Sequence, residues 1–278
     1  MQISVLISVY KAEKPQYLDR ALKSVWDDQT HKPSEIILVA DGELPSELEE
    51  IIEKWKHTLG ESFIIVRNEC NLGLPKSLNK GLKYVNNELI ARMDSDDISH
   101  PKRFEIQRNF LIANQDIDIV GGALQEFNDK SSCLNIRYYP TNPDIVNKYI
   151  CKGSPLAHPT VMMRKKIFDS GLCYNENYRT NEDIALWYDV LAKGHRISNV
   201  SDITIYFRLA DNFYKRRGRQ KAVDEFKVYM KGICNLHGLF SYYYIYPISR
   251  LIFRLMPKSI IKYTYNSKIR NFILSNFH

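Results

Sequence analysis

Short apolar runs alternate with amphipathic stretches through the first 115 or so residues of the chain. Ile3–Ser8 reads as a strand, and Pro15–Trp26 reads as a helix with Leu18, Leu22 and Val25 on one face. Glu35–Ala40, Phe63–Arg67 and Leu89–Arg92 repeat the strand pattern, with helices near Ser46–Leu59 and Leu74–Val85 between them. This alternation predicts an α/β fold with a mainly parallel sheet, right-handed crossovers and helices on both faces. Ligands in such sheets bind beyond the carboxyl ends of the strands, so the residues after each strand carry the most information.

The second half is less regular. Strands are expected at Leu134–Tyr138, Thr160–Met163 and Ile203–Phe207, and helices at Pro143–Cys151 and Glu182–Lys193. No internal repeat or low-complexity linker divides the chain before about residue 215. The segment Gly238–Pro257 is apolar and aromatic, but Pro247, Arg250 and Arg254 interrupt it. That is too broken for the roughly 20 apolar residues a membrane span needs. With Tyr242, Tyr243, Tyr244 and Tyr246 clustered there, it reads as an interfacial amphipathic segment; the plainer alternative is an aromatic helix packed on the domain.

Charge sharpens that picture. The net +7 looks like the balance of a nucleic-acid binder until it is located. No acid follows Glu225, whereas Lys227, Lys231, Arg250, Arg254, Lys258, Lys262, Lys268 and Arg270 do, so the whole excess belongs to the C-terminal segment. A length of 278 residues and 44% hydrophobic content suit one sizeable domain with an appendage. Five cysteines without a CxxC spacing give neither a disulfide framework nor a zinc site, and suit a reducing compartment. The N-terminal run has no basic flank and reads as a buried strand, so a cytoplasmic location is expected.

The predicted strands are followed in turn by Ser8-Val9-Tyr10-Lys11, Asp41-Gly42, Asn68 to Gly73, and Asp94-Ser95-Asp96-Asp97. Neither GxGxxG nor GxxxxGK[ST] occurs, which excludes the usual glycine-loop phosphate sites. Acids gather at the ligand edge instead. Three carboxylates within four residues suit a hard cation, Mg2+ or Mn2+, bridging phosphates. The bland alternative, that Asp97 or Ser99 caps a helix starting near Pro101, accounts for one acid and not three. A second cluster, Thr180-Asn-Glu-Asp, precedes Ile184, Trp187 and Leu191 at helical spacing. It reads as a capping box from Thr180 to Asp183, or as a carboxylate placed to take a proton from a hydroxyl.

Taken together, SVLISVY, LVADG, NLGLPKSLNKG, ARMDSDDISHPKRFEIQ and the NED–xxLW helix resemble the family 2 glycosyltransferases of GT-A fold, in order, from about Met1 to Phe207. The resemblance implies an enzyme that binds a nucleotide-sugar, commonly UDP-linked, across the first strands. Ser8 and Tyr10 would line the base pocket and Asp41 would bond the base. Gly73, Arg92, Asp94 and Ser95 would complete the donor set, and Asp96 with Asp94 would hold Mn2+ or Mg2+. Asp183 would be the general base of an inverting transfer, with Glu182 in reserve. His158 and Arg208 fall where the family often has polar groups near acceptor or diphosphate, although a core or loop role suits a lone His better.

The implied division is a catalytic domain 1–215, with a nucleotide half 1–115 and an acceptor half 116–215, and a membrane-association segment 216–278. Processive synthases of this type carry a QxxRW motif and true spans, and neither occurs here, so transfer of a single sugar is expected. Bacterial members often build O-antigen or capsule units on undecaprenyl diphosphate, which implies a lipid-linked saccharide acceptor and a glucose or galactose donor. The basic tail would then rest on the anionic inner leaflet. Rival readings are a nucleotidyltransferase, a non-catalytic membrane-surface adaptor, and a retaining transferase.

Overall fold

The structure is a computed structural model that describes residues 1–209 and 219–255. Lys258, Lys262, Lys268 and Arg270 of the expected basic tail lie outside the described residues. In chain order the elements are β1 (Ile3–Val9), α1 (Pro15–Val25), β2 (Glu35–Ala40), α2 (Ser46–Leu59), β3 (Phe63–Arg67), α3 (Leu74–Leu82), β4 (Leu89–Asp94) and β5 (Ile98–Ser99). There follow α4 (Arg103–Ala113), β6 (Ile119–Asn128), β7 (Ser131–Arg137), α5 (Pro143–Tyr149), β8 (Met162–Arg164), α6 (Lys166–Asp169), α7 (Glu182–Ala192), β9 (Ile197–Arg208), α8 (Arg219–His237) and α9 (Ile245–Leu255).

One sheet runs in the order β3-β2-β1-β4-β8-β6-β9-β5, with β7 paired to β6. The first four strands are parallel, and Ser8 of β1 lies level with Val39 of β2 and Asp94 of β4. Their carboxyl ends therefore finish side by side. β8 joins the two halves but is short, pairing only Leu89 to Ala91 of β4 and Ile119 to Val120 of β6. Where β8 stops, two buried side chains of α4 take over its role. Arg103 Nη2 donates to the carbonyls of Arg92 (2.8 Å) and Val161 (3.2 Å). Gln107 Nε2 donates to those of Val120, Gly121 and Thr160, the last at 2.7 Å. These side-chain donors bridge main-chain carbonyls of β4, β6 and the segment before β8, and so tie the two halves of the sheet together beyond the last residue pair of β8.

Apolar clusters cover both faces of the sheet. Leu18, Leu22, Leu38, Trp55 and Phe104 lie on one side, and Leu6, Leu78, Trp187, Tyr188 and Ile233 on the other. The strand β6 has no counterpart in the sequence reading, because its Gly121-Gly122 pair reads as a break in an apolar run. The structure gives the reason for those glycines. A Cβ at Gly121 would stand 2.2 Å from Asn199 Oδ1, and one at Gly122 2.4 Å from Thr204 Cγ2.

α8, within the expected appendage, enters the core. Val228, Tyr229 and Ile233 are buried, and Gly232 lies against the ring of Tyr188. Neither of the capping alternatives holds. The residue preceding α4 is Lys102, with no side-chain cap, and Asp97 is engaged elsewhere. The residue before α7 is Asn181, which makes no capping bond from its side chain, so Thr180 and Asp183 form no capping box.

Candidate functional site

A cleft of about 700 Å³ opens at the carboxyl ends of β1, β2 and β4 and is closed on the far side by the ends of β6 and β9. Ser8, Tyr10, Asp41, Gly73, Asp94, Ser95, Asp96 and Arg208 all line it. Pro15 starts α1 directly after the loop from β1, placing Glu13 and Tyr17 on the rim.

Asp41 organises one wall. Its Oδ1 accepts from Asn68 Nδ2 (2.9 Å) and Leu72 N (2.8 Å), and its Oδ2 from Gly73 N (3.0 Å). The carboxylate thus ties the loop after β3 to the end of β2. Three donors leave acceptor capacity for a ligand, since a carboxylate offers about four lone-pair sites. The turn is tight enough to need Gly42, at φ 88°, where a Cβ would approach Asn71 N to 2.7 Å.

The acids after β4 form the floor. Carboxylate oxygens of Asp94, Asp96 and Asp97 lie within 4.8 Å of one another. Burial, with the charges of Asp94 and Glu13, pushes Asp96 up to about 7. Burial and the charges of Asp94 and Asp96 raise Asp97 well above the carboxylate range. Asp97 is fully buried; its Oδ1 accepts from Arg208 N at 2.8 Å, whereas Oδ2 has no partner. Three clustered carboxylates with an orphaned buried oxygen fit a hard divalent cation, whose ligands at about 2.0–2.6 Å lie no more than about 5 Å apart.

Arg208, at the end of β9, is held over this floor. Its guanidinium sits 3.8 Å from the centroid of Tyr17 and 4.5 Å from that of Phe127. Nε donates to Asp96 O (2.9 Å) and Nη1 to Asp129 Oδ1 (2.7 Å). Glu13 Oε2 accepts from Ser95 Oγ at 2.5 Å.

A second acidic group lies at the start of α7. Glu182 is buried and Asp183 half-buried, and neither is among the residues lining the cleft. Burial and the neighbouring Asp183 push Glu182 up to about 7. Burial also raises Asp183, against backbone N–H donation from Ile184 and the Arg92 charge. Asn181 precedes them in the left-handed region, at φ 63°.

Arg92 links the two groups. It is 2% exposed and pairs with Asp94 through Nη2 at 2.5 Å, while Nε and Nη1 have no partner. Burial opposes its cation, but Asp94, Tyr174 and Glu182 hold its pKa up. His158 sits in the core. Its Nε2 shares a 2.9 Å hydrogen bond with the Tyr174 hydroxyl, and its Nδ1 is 3.8 Å from Glu182. Burial and the Arg92 charge hold His158 well below its ordinary value, hence neutral at physiological pH.

Most residues singled out from the sequence therefore gather in the cleft, and Arg92, Glu182, Asp183 and His158 form a buried cluster beside it. Glu13, Tyr17 and Asp129 were not foreseen. Glu13 and Tyr17 follow the first strand, where the ligand edge of such a sheet lies. Asp129 occupies a hairpin turn, and nothing in its local sequence separates it from any turn aspartate.

Residues 4–172 match the profile of Glycosyl transferase family 2. The chain is 32% identical over 264 residues to the amylovoran biosynthesis glycosyltransferase AmsE of Erwinia amylovora, covering 94% of this chain and 97% of that protein. It is also 32% identical over 275 residues to the UDP-Gal:alpha-D-GlcNAc-diphosphoundecaprenol beta-1,3-galactosyltransferase of Escherichia coli, covering 98% of each. Among solved structures, S. aureus TarS 1–349 superimposes with a TM-score of 0.66 at 20% identity, covering 91% of this chain and 71% of that one. The mannosyltransferase PcManGT of Pyrobaculum calidifontis, solved with GDP-Man and Mn2+, gives 0.66 at 12% identity over 99% and 79%. The fold is thus the mixed α/β GT-A fold that the sequence led us to expect.

Proposed function

Because the chain belongs to glycosyl transferase family 2, we propose that it moves one hexose from a UDP-sugar to a hydroxyl of a lipid-linked oligosaccharide on undecaprenyl diphosphate. The product is a β-glycoside in a surface polysaccharide such as O-antigen or capsule. The activity of the Escherichia coli relative, a galactosyltransferase, favours galactose over glucose. The observation that carries the reading is the acid triplet Asp94, Asp96 and Asp97, of which Asp94 and Asp96 line the floor of a cleft large enough for a nucleotide-sugar and Asp97 is buried beside them. No helix among the described residues is long and apolar enough to cross a membrane, which agrees with a peripheral protein on the inner face of the cytoplasmic membrane.

In this reading Ser8 and Tyr10 flank the base, and Asp41 offers it the acceptor capacity left beyond its loop bonds. Gly73 brings a backbone without a side chain to the cleft, and Ser95 is fixed by Glu13. Asp96, with Asp94, would hold Mn2+ or Mg2+, which supplies charge neutralisation for the departing diphosphate. Arg92 orients Asp94 from below. Asp183 accepts the proton of the attacking hydroxyl, and burial, by raising its pKa, makes it a stronger base than a solvated carboxylate. A single displacement from the face opposite the leaving group inverts an α-linked donor to a β-product. Glu182 is the second candidate for the base.

A donor screen tests this. Purified protein, Mn2+ or Mg2+ and a lipid-diphosphate saccharide analogue are incubated with each common nucleotide-sugar, and released nucleotide is quantified. One UDP-sugar consumed only with cation, giving a β-linked product by NMR, is expected. Pyrophosphate release would transfer the protein to the nucleotidyltransferases, and an α-product from an α-donor would make it retaining. UDP binding that ignores the cation and leads to no turnover would defeat the proposal.

A further inference from the structure

A surface helix ordinarily turns its apolar stripe to the core and its charges to water. α9 does the reverse. Arg250 Nη1 donates to Glu225 Oε1 of α8 at 2.9 Å, and Arg254 pairs with the other oxygen of that carboxylate. The Arg250 guanidinium also lies 4.9 Å from the ring of Tyr229, and Pro247 is buried beside it. The opposite side of α9 presents Ile245, Ile248, Ile252, Phe253 and Leu255 to solvent, and the preceding turn adds Leu239 and a fully exposed Phe240. Exposed apolar side chains in this number on one short stretch of chain mark an interaction surface.

Charge identifies the partner. Glu225 is the last acid of the chain, and it is already engaged by Arg250 and Arg254. The sequence beyond α9 adds Lys258, Lys262, Lys268 and Arg270 and no acid. A second copy would set this positive charge against its like. An anionic bilayer offers both an apolar boundary for the α9 face and negative headgroups for the lysines.

We infer that the outward face of α9, with the Leu239-Phe240 turn, is the surface by which this protein lies on an anionic lipid bilayer. The inference deepens the proposed use of a lipid-linked acceptor and rests on it. The two arginines expected from the sequence to meet lipid instead orient the helix, by holding its polar side against Glu225. The lipid attraction then belongs to the lysines and the insertion to the isoleucines and phenylalanines.

The test is co-sedimentation of the full chain with vesicles of phosphatidylcholine alone or mixed with phosphatidylglycerol. The wild type is expected to pellet with the mixed vesicles and to be released by salt. The pair Ile248→Ser with Ile252→Glu, and separately Phe240→Glu, should each lower the partition by about tenfold or more. All these side chains face solvent, so the fold should tolerate the changes. UDP release with a short-chain soluble acceptor analogue should stay within about twofold of the wild type. Unchanged partition in both variants overturns the inference, and so does a wild type that ignores mixed vesicles. Variants that convert a dimer to a monomer in sedimentation velocity overturn it in favour of a second copy. A wild type that binds vesicles but turns over no donor leaves the surface standing and removes the transferase proposal.

Discussion

The two acidic groups of this molecule are built from the same residue types and answer different problems. Asp94, Asp96 and Asp97 converge on one point at the floor of an open cleft, with an orphaned oxygen among them and their mutual repulsion only partly relieved by Arg208. Glu182 and Asp183 sit at the first turn of α7, where backbone N–H groups and the buried Arg92 face them. Burial raises carboxyl pKa values in both. The first group has room for a cation to resolve the conflict. The second group already has positive partners, and retains the elevated proton affinity useful to a base. A raised carboxyl pKa is therefore not one signal, and its meaning depends on what faces the carboxylate.

The largest expected effects separate the two groups directly. Asp96→Ala should abolish cation-dependent UDP binding along with turnover. Asp183→Asn should lower kcat by about 10²–10⁴-fold while calorimetry still finds cation-dependent UDP binding. If the Asp183 variant also loses UDP binding, the division between the groups fails. A smaller effect concerns pH. Glu182, pushed from 4.5 to about 7, faces Asp183, Arg92, Asp94 and the neutral His158. Between those values the folded state holds a proton that the unfolded chain has released, so stability should fall as pH rises through that window. Glu182→Gln should flatten the decline in Tm between about pH 4.5 and 7. An unchanged decline would show that burial of this carboxyl does not control it. The smallest effect tests the wall held by Asp41. Gly42→Ala, at a positive φ and against Asn71 N, should cost about 1–3 kcal/mol in urea denaturation without altering the pH dependence.

What the sequence made legible follows the range of the interactions involved. Glu35–Ala40, Ser46–Leu59 and Phe63–Arg67 were placed to the residue, because apolar periodicity is local. The acid triplet was legible because its members adjoin in the chain. The proximity of Arg92 to Glu182 was not, since β4 and α7 carry them some 90 residues apart and only tertiary packing joins them. β6 was hidden by glycines that serve Asn199 and Thr204, residues about 80 positions later. For α9, the amphipathic pattern was clear, but not which face points inward. That was decided by Glu225, on another helix.

The joint made by Arg103 and Gln107 bears on how such a protein diversifies. Apart from contacts within their own neighbourhood to Met93 and each other, these side chains reach for main-chain oxygens, at Arg92, Val161, Val120, Gly121 and Thr160. Every amino acid supplies a carbonyl, so, Gly121 apart, the seam between the two halves does not depend on which side chains stand at those positions. Lineages can therefore rewrite the half from β6 onward while inheriting the same weld, and the cost of novelty falls on two α4 positions that must stay as they are.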